Sequence, residues 1–190
     1  MPDRLFSHNQ DRDFSLPFSE NPILKPFTLA EKKALGRNGH LIYPFSFQTI
    51  GTQIHTGKPF WYLFNGVDQQ FKEVSSMVGE VAFIPNPKRF YLPGSDYKTF
   101  DEQTELIEEY GRVLREGLGL PDHIKAVMGQ ASDYAQLAFR HLEATERYLF
   151  GKRYGYYLAQ SRTPTGSVGI ASVGRFDINE GGLAVRELGY

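Results

Sequence analysis

The sequence predicts an α+β fold: a largely antiparallel sheet, a central segment of about three helices, and a C-terminal three-stranded meander. Three observations predict it. Aromatic and β-branched residues crowd the first half, apolar residues recur at helical spacing between residues 100 and 151, and the chain from residue 154 returns to short apolar runs separated by turn residues. At 190 residues the chain reads as a single domain, 28–190, behind an extended arm, 1–27.

The arm holds four prolines (Pro2, Pro17, Pro22, Pro26) and four phenylalanines (Phe6, Phe14, Phe18, Phe27) with neither a helical nor a strand period. Proline disfavours helix and lowers the entropy lost on ordering, so the rings are expected to anchor an extended segment on the body or on a partner, a second copy included. The four residues "TLAE" then form a capping box, Thr28 with Glu31, which opens a short helix ended by glycines near Gly36 and Gly39. The stretch "HLIYPFSFQTIGTQIHTGKPFWYLF" reads as two strands around a turn at "TGK". A weaker segment follows from Val67 to Val74, and "EVAFI" (80–84) and "RFYL" (89–92) read as further short strands.

Thr99 and Glu102 form a second capping box. Behind it Phe100, Ile107, Tyr110, Leu114 and Leu118 fall on one helical face, and Glu102, Glu105 and Glu109 lie on the opposite, solvated one. "LPDHIKAVMG" reads as a short helix from Pro121 to Gly129. A third helix is expected from Asp133, boxed by Gln136, to Gly151, with Tyr134, Ala138, Leu142 and Leu149 as its stripe and Glu143–Arg147 as an i,i+4 pair. Three strands then follow, "YGYYLAQS", "SVGIASVGRF" and "LAVREL", linked by "TPTG", with Pro164 suited to a type I turn, and by "NEGG".

Composition narrows the function. There is no cysteine, which removes thiol catalysis, iron–sulfur clusters, cysteine-held zinc and any disulfide framework, and fits a reducing compartment. Net charge is −1, so no global field draws the chain to nucleic acid or to an anionic membrane. The first residues lack a basic stretch followed by an apolar one, and no apolar run is long enough to span a bilayer, so a cytoplasmic protein is expected.

Local motifs for chemistry fail one by one. Gly169 and Gly174 have the separation of a phosphate loop, but Arg175 and Phe176 stand where lysine and a hydroxyl are needed. His8, His40, His55, His123 and His141 form no metal-binding pair, so neither metal nor cofactor is expected. His141 reads as a hydrogen-bonded, partly buried residue and His55 as exposed, while His123 falls in the first turn of the 121–129 helix. No nucleophile elbow is present, and Ser172 reads as a strand residue.

The stretch "GKRYGYYLAQSRTPTG" (151–166) holds the best binding candidates: Arg153, Tyr154, Tyr156 and Arg162. Its rings could stack bases, and residues 140–175 carry six basic side chains against two acidic. Against the sheet signature of RNA-recognition motifs, however, Arg153, Tyr157 and Ala159 depart from the pattern, and the stretch leaves a helix directly. A hairpin strand explains it more simply. The expectation is a non-catalytic binding or interaction protein presenting an aromatic-rich surface to a protein or small-molecule partner. A small-substrate enzyme with a site assembled from remote residues, and nucleic-acid binding through residues 147–162, are the alternatives.

Overall fold

Helix formation begins where the side chains can satisfy the first amides. In the computed structural model, which describes residues 23–62, 69–86, 90, 92–95, 98–150, 158–165, 169–177 and 181–189, α1 (Leu29–Arg37) is capped by Thr28. Thr28 Oγ1 accepts the Glu31 amide at 3.3 Å and the Glu31 carboxylate accepts the Thr28 amide at 2.6 Å. The same reciprocal pair, Thr99 with Glu102, opens the long helix α3 (Phe100–Leu118), and Gly119 closes it at φ 63°.

Between them lie β1 (Leu41–Phe45), α2 (Ile50–His55), β2 (Phe60–Tyr62), a 3-10 turn (Gln69–Glu73) and β3 (Gly79–Phe83). Helix α4 (Ala131–Thr145) follows α3, and the chain ends in β4 (Leu158–Pro164), β5 (Gly169–Asp177) and β6 (Gly182–Gly189). These last three strands are the expected antiparallel meander. They form a four-stranded sheet of order β2-β6-β5-β4, in which β2 joins β6 in parallel, while β1 and β3 form a separate antiparallel pair. The α+β fold therefore stands, with β2 as the one parallel member among the described strands. No described helix is long and apolar enough to cross a membrane.

Several local expectations are corrected. Only the part of the "TGK" pair up to Phe45 and from Phe60 is strand; Ile50–His55 is helical. The reason is a hydroxyl box: Thr49 Oγ1 accepts the Thr52 amide at 3.0 Å while Thr52 Oγ1 accepts the Thr49 amide at 2.8 Å, and Ile50 and Gln53 turn inward together. The weak segment before Val74 is a 3-10 turn over its described part. Phe90, in the expected strand 89–92, is helical and donates its amide to the Asn86 carbonyl.

The expected helix at 121–129 is irregular chain with a single turn at Pro121–Ile124. External contacts hold it: Arg115 Nη1 donates to the Ile124 carbonyl and Ala126 rests on Gly111. Helix α4 starts at Ala131, because Asp133 reaches back to the Gln130 amide (2.7 Å) and does not act as the cap. It stops at Thr145, where Glu146 turns left-handed at φ 56°, well short of Gly151. Leu149 thus lies beyond the helix, though fully buried, and Glu143 pairs with Lys58 in place of Arg147. The type I turn expected over Thr163–Gly166 is not formed at Pro164, which is the last residue of β4 and pairs with Ile170; Gly166 lies outside the described residues.

The main core forms where α4 crosses the four-stranded sheet. Leu137, Phe139, Leu149 and Phe150 meet Ala171, Val173, Phe176, Leu183 and Val185 there. A bulge sets the sheet's inward face. Strict alternation after Ala171 and Val173 would send Arg175 inward, but the register shifts between Gly174 and Phe176, Arg175 adopts φ 41°, and Phe176 takes the core position. Phe176 then stacks edge-on against Phe139 at 5.0 Å and Tyr148 at 5.2 Å.

The parallel strand depends on Gly182. It sits at φ 120°, and a Cβ on it would overlap the Pro59 carbonyl oxygen, which accepts the neighbouring Leu183 amide at 2.9 Å. Both the backbone conformation and the space exclude a side chain. Gly182→Ala is expected to lower stability by about 2–4 kcal/mol, measured by urea unfolding; a loss within about 0.5 kcal/mol would contradict the close approach.

Candidate functional site

Of the binding candidates, Arg153, Tyr154 and Tyr156 lie outside the described residues. Arg162 is on β4 and points to a structural role. Its amide donates to the Gly129 carbonyl at 3.0 Å, and its half-buried guanidinium stands close enough to Asp133 to stabilise that carboxylate's charge.

Arg162 belongs to a buried polar node at the start of α4. Asp133 accepts the Met77 amide at 2.6 Å and the Gln130 amide at 2.7 Å. Thr163 Oγ1 accepts the Ala131 amide and donates to the Gln130 side chain, both within 2.8 Å. One turn on, Gln136 bonds Ser46 through its backbone amide and carbonyl, and donates to Ser76 Oγ. Burial pushes the Asp133 carboxyl up to about 6, against the pull of its two backbone donors and Arg162. Burial likewise pushes Tyr134 up to about 12, although its hydroxyl accepts the Gly129 amide.

The histidines divide as their surroundings dictate. His141 is buried, 3.2 Å from Tyr43 Oη and 3.4 Å from Thr145 Oγ1, and burial holds it below its ordinary range, so it is neutral at neutral pH. His55 is exposed as expected. His123 is exposed on irregular chain, 3.6 Å from Glu31, and not in a helix. Among the described residues no three histidine or acidic side chains gather as a metal site. A depression of about 120 Å³ is lined by Gln48, Gln53, Lys58, Gln136, Phe139, Arg140 and Glu143. Substrate pockets run to several hundred Å³, so this one suits waters or a single small group.

Among the described residues Ile23, Leu29 and Phe47 are exposed apolar side chains on separate segments, and α3 exposes a row of them. Its stripe residues Ile107, Leu114 and Leu118 are only half-buried, and Gly111 is its one fully buried residue. Among the described elements no helix or strand packs extensively along it, and a close neighbour is the irregular segment that follows. Beside the stripe runs a second row at i, i+4 and i+7: Leu106, Tyr110 and Val113. Leu106 is half-buried, Tyr110 is 36% exposed and Val113 53%. The sequence reading missed Leu106 and Val113 because it sought one face only; the signal was an apolar arc covering about half the helix circumference.

The polar side of α3 is acidic and ordered, as expected of a solvated face. Six carboxylates face two arginines between Phe100 and Leu118. Arg112 forks between Glu109 and Glu116, and Lys98 reaches Glu102. Hydrogen bonds from Arg112 hold Glu109 below the usual carboxylate range, and the Thr99 amide does the same for Glu102.

The buried acid gives a pH test. Because the Asp133 pKa rises from 3.8 to about 6 on folding, the native state binds the proton more tightly, and this group's contribution to stability falls as pH rises from about 4 through 6. Asp133→Asn removes that term while weakening the node. Urea midpoints are therefore expected to show a wild-type advantage that is largest near pH 4 and shrinks above pH 6; an advantage that widens with pH would contradict the buried-acid assignment. Comparison with protein-family models, curated proteins and solved structures finds no match to this chain.

Proposed function

We propose that the chain is a non-catalytic interaction protein that docks a partner on the exposed edge of α3. One observation carries the reading: a nineteen-residue helix, apolar over half its surface, fully buries a single glycine and leaves Tyr110 and Val113 open to solvent. An amphipathic helix of a globular protein ordinarily turns its apolar arc to the core. Here Val127 adds to the exposed apolar surface from the segment that rests on Gly111 through Ala126. A tyrosine beside aliphatic side chains suits an interface, where a ring supplies contact area at low entropic cost.

The acidic side of the same helix argues against phosphate-backbone partners there. The described candidate for a docking surface is Tyr110 with its aliphatic neighbours; of the 151–166 candidates, Arg153, Tyr154 and Tyr156 lie outside the described residues.

A photo-reactive benzoylphenylalanine in place of Val113 tests the docking edge in cells. It is expected to give a discrete cross-linked species, whereas the same group in place of Glu105, on the acidic side, gives none. Equal cross-linking from both positions, or none from position 113, would refute the edge. Val113→Ser is expected to shift stability by no more than about 0.5 kcal/mol, so loss of the partner by that variant would not reflect unfolding.

A further inference from the structure

The α3 edge also carries information about what it receives. Its apolar row Leu106, Tyr110 and Val113 spans about 10 Å, two turns of helix, which matches one apolar row of a partner helix. Along that row runs an acidic one, Glu102, Glu109 and Glu116, at seven-residue spacing. Each of these carboxylates lies three or four positions from a member of the apolar row and is therefore its neighbour on the helix surface. All three are exposed.

The cations nearby do not cancel this row. Arg112 is shared between Glu109 and Glu116, one positive charge against two negative. Arg115 turns away, to the Ile124 carbonyl and to Asp122 at 4.0 Å. Lys98 meets Glu102 at the helix start, and Lys125 is exposed on the irregular segment. With Asp101, Glu105 and Glu108 behind it, the polar side of α3 stays strongly negative.

Charge then sorts the occupants. A second copy docked edge to edge would set this acidic row against itself. The chain's own first 22 residues carry four acids (Asp3, Asp11, Asp13, Glu20) against two arginines (Arg4, Arg12), and so would also be repelled. Anionic lipid and nucleic acid are disfavoured for the same reason. An apolar row flanked by carboxylates is complementary to an apolar row flanked by lysine or arginine, the arrangement by which paired helices choose partners.

We infer that the α3 edge binds a cationic amphipathic helix of another protein, with apolar side chains on Leu106, Tyr110 and Val113 and basic ones against Glu102, Glu109 and Glu116. This rests on the docking reading above and adds the chemistry of the partner. Because the chain's net charge is only −1, general attraction to a cationic peptide is weak, and selectivity must come from this local row.

The test uses the full-length protein and three fluorescent model peptides of about eighteen residues. They share one leucine row and differ only at the flanking positions, which are all lysine, all glutamine or all glutamate. Anisotropy at about 0.05 M salt is expected to rank them lysine, glutamine, glutamate, with about a tenfold step between the first two that closes near 0.5 M. The Glu109→Gln/Glu116→Gln protein is expected to narrow that step without changing affinity for the glutamine peptide. Val113→Ser is expected to weaken the lysine and glutamine peptides alike. Equal binding of all three peptides, still sensitive to Val113→Ser, would overturn the cationic partner and keep the docking edge. Lysine-peptide binding indifferent to Val113→Ser, or no binding by any peptide, would overturn both.

Discussion

Everything else in the structure depends on α4 being enclosed. Nine of its fifteen residues are buried, four of them polar: Ser132, whose hydroxyl has no hydrogen-bond partner among the described residues, and Asp133, Gln136 and His141. An unsatisfied buried polar group costs about 1–3 kcal/mol, and the last three avoid that cost, each through a different part of the chain. Asp133 takes the Met77 amide, Gln136 takes both backbone groups of Ser46, and His141 takes Tyr43. The helix thereby fixes the start of β3, the loop after β1 and the middle of β1, while its apolar side chains fix the meander. The polar groups specify where the loops go; the apolar ones supply the driving force.

That division explains which parts of the fold were legible in the sequence. The boxes at Thr28 and Thr99 are complete within four residues, so they declare themselves locally. The meander is legible because its strands pair with their sequence neighbours and need no distant partner. By contrast, Gln136 reads as a partner for Asp133 by spacing, yet its bonds go to Ser46, ninety positions away. Helix α2 hides because β-branched residues favour strand, and its cap uses a threonine hydroxyl where a carboxylate is the usual sign. The 121–129 segment has helix-like spacing but is claimed by Arg115, Gly111 and Glu31, none of them adjacent in sequence. The parallel pairing of β2 with β6 depends on a backbone approach at Gly182 that no side-chain pattern records.

The candidate site was half legible for a related reason. Periodicity identified α3, its acidic side and most of its apolar stripe, because these are properties of one helix. Whether the stripe is covered is a property of everything else in the chain, and no local pattern carries it. Arg162, the one described member of the 151–166 candidates, has its guanidinium near enough to Asp133 to favour that carboxylate's charge, a proximity no local pattern records.

Helices α3 and α4 solve the same problem in opposite ways. Helix α4 is enclosed and needs little from its own sequence beyond the Asp133 carboxylate that reaches back to the Gln130 amide; it even ends on a left-handed glutamate where a glycine would be less strained. Helix α3 receives little packing, and its stability must be local. It has a complete capping box, a glycine terminator, acidic residues in the first turn, Arg115 in the last, and the Glu109–Arg112–Glu116 and Lys98–Glu102 ion pairs. A helix that is merely tolerated on a surface has no need of so many devices at once. One that must hold an apolar row straight without a core behind it does, because preorganisation removes part of the ordering entropy that binding would otherwise cost. The carboxylates that steady α3 are also the ones that flank its exposed row, so the residues that make the helix self-sufficient are the residues that set the charge of what it can receive.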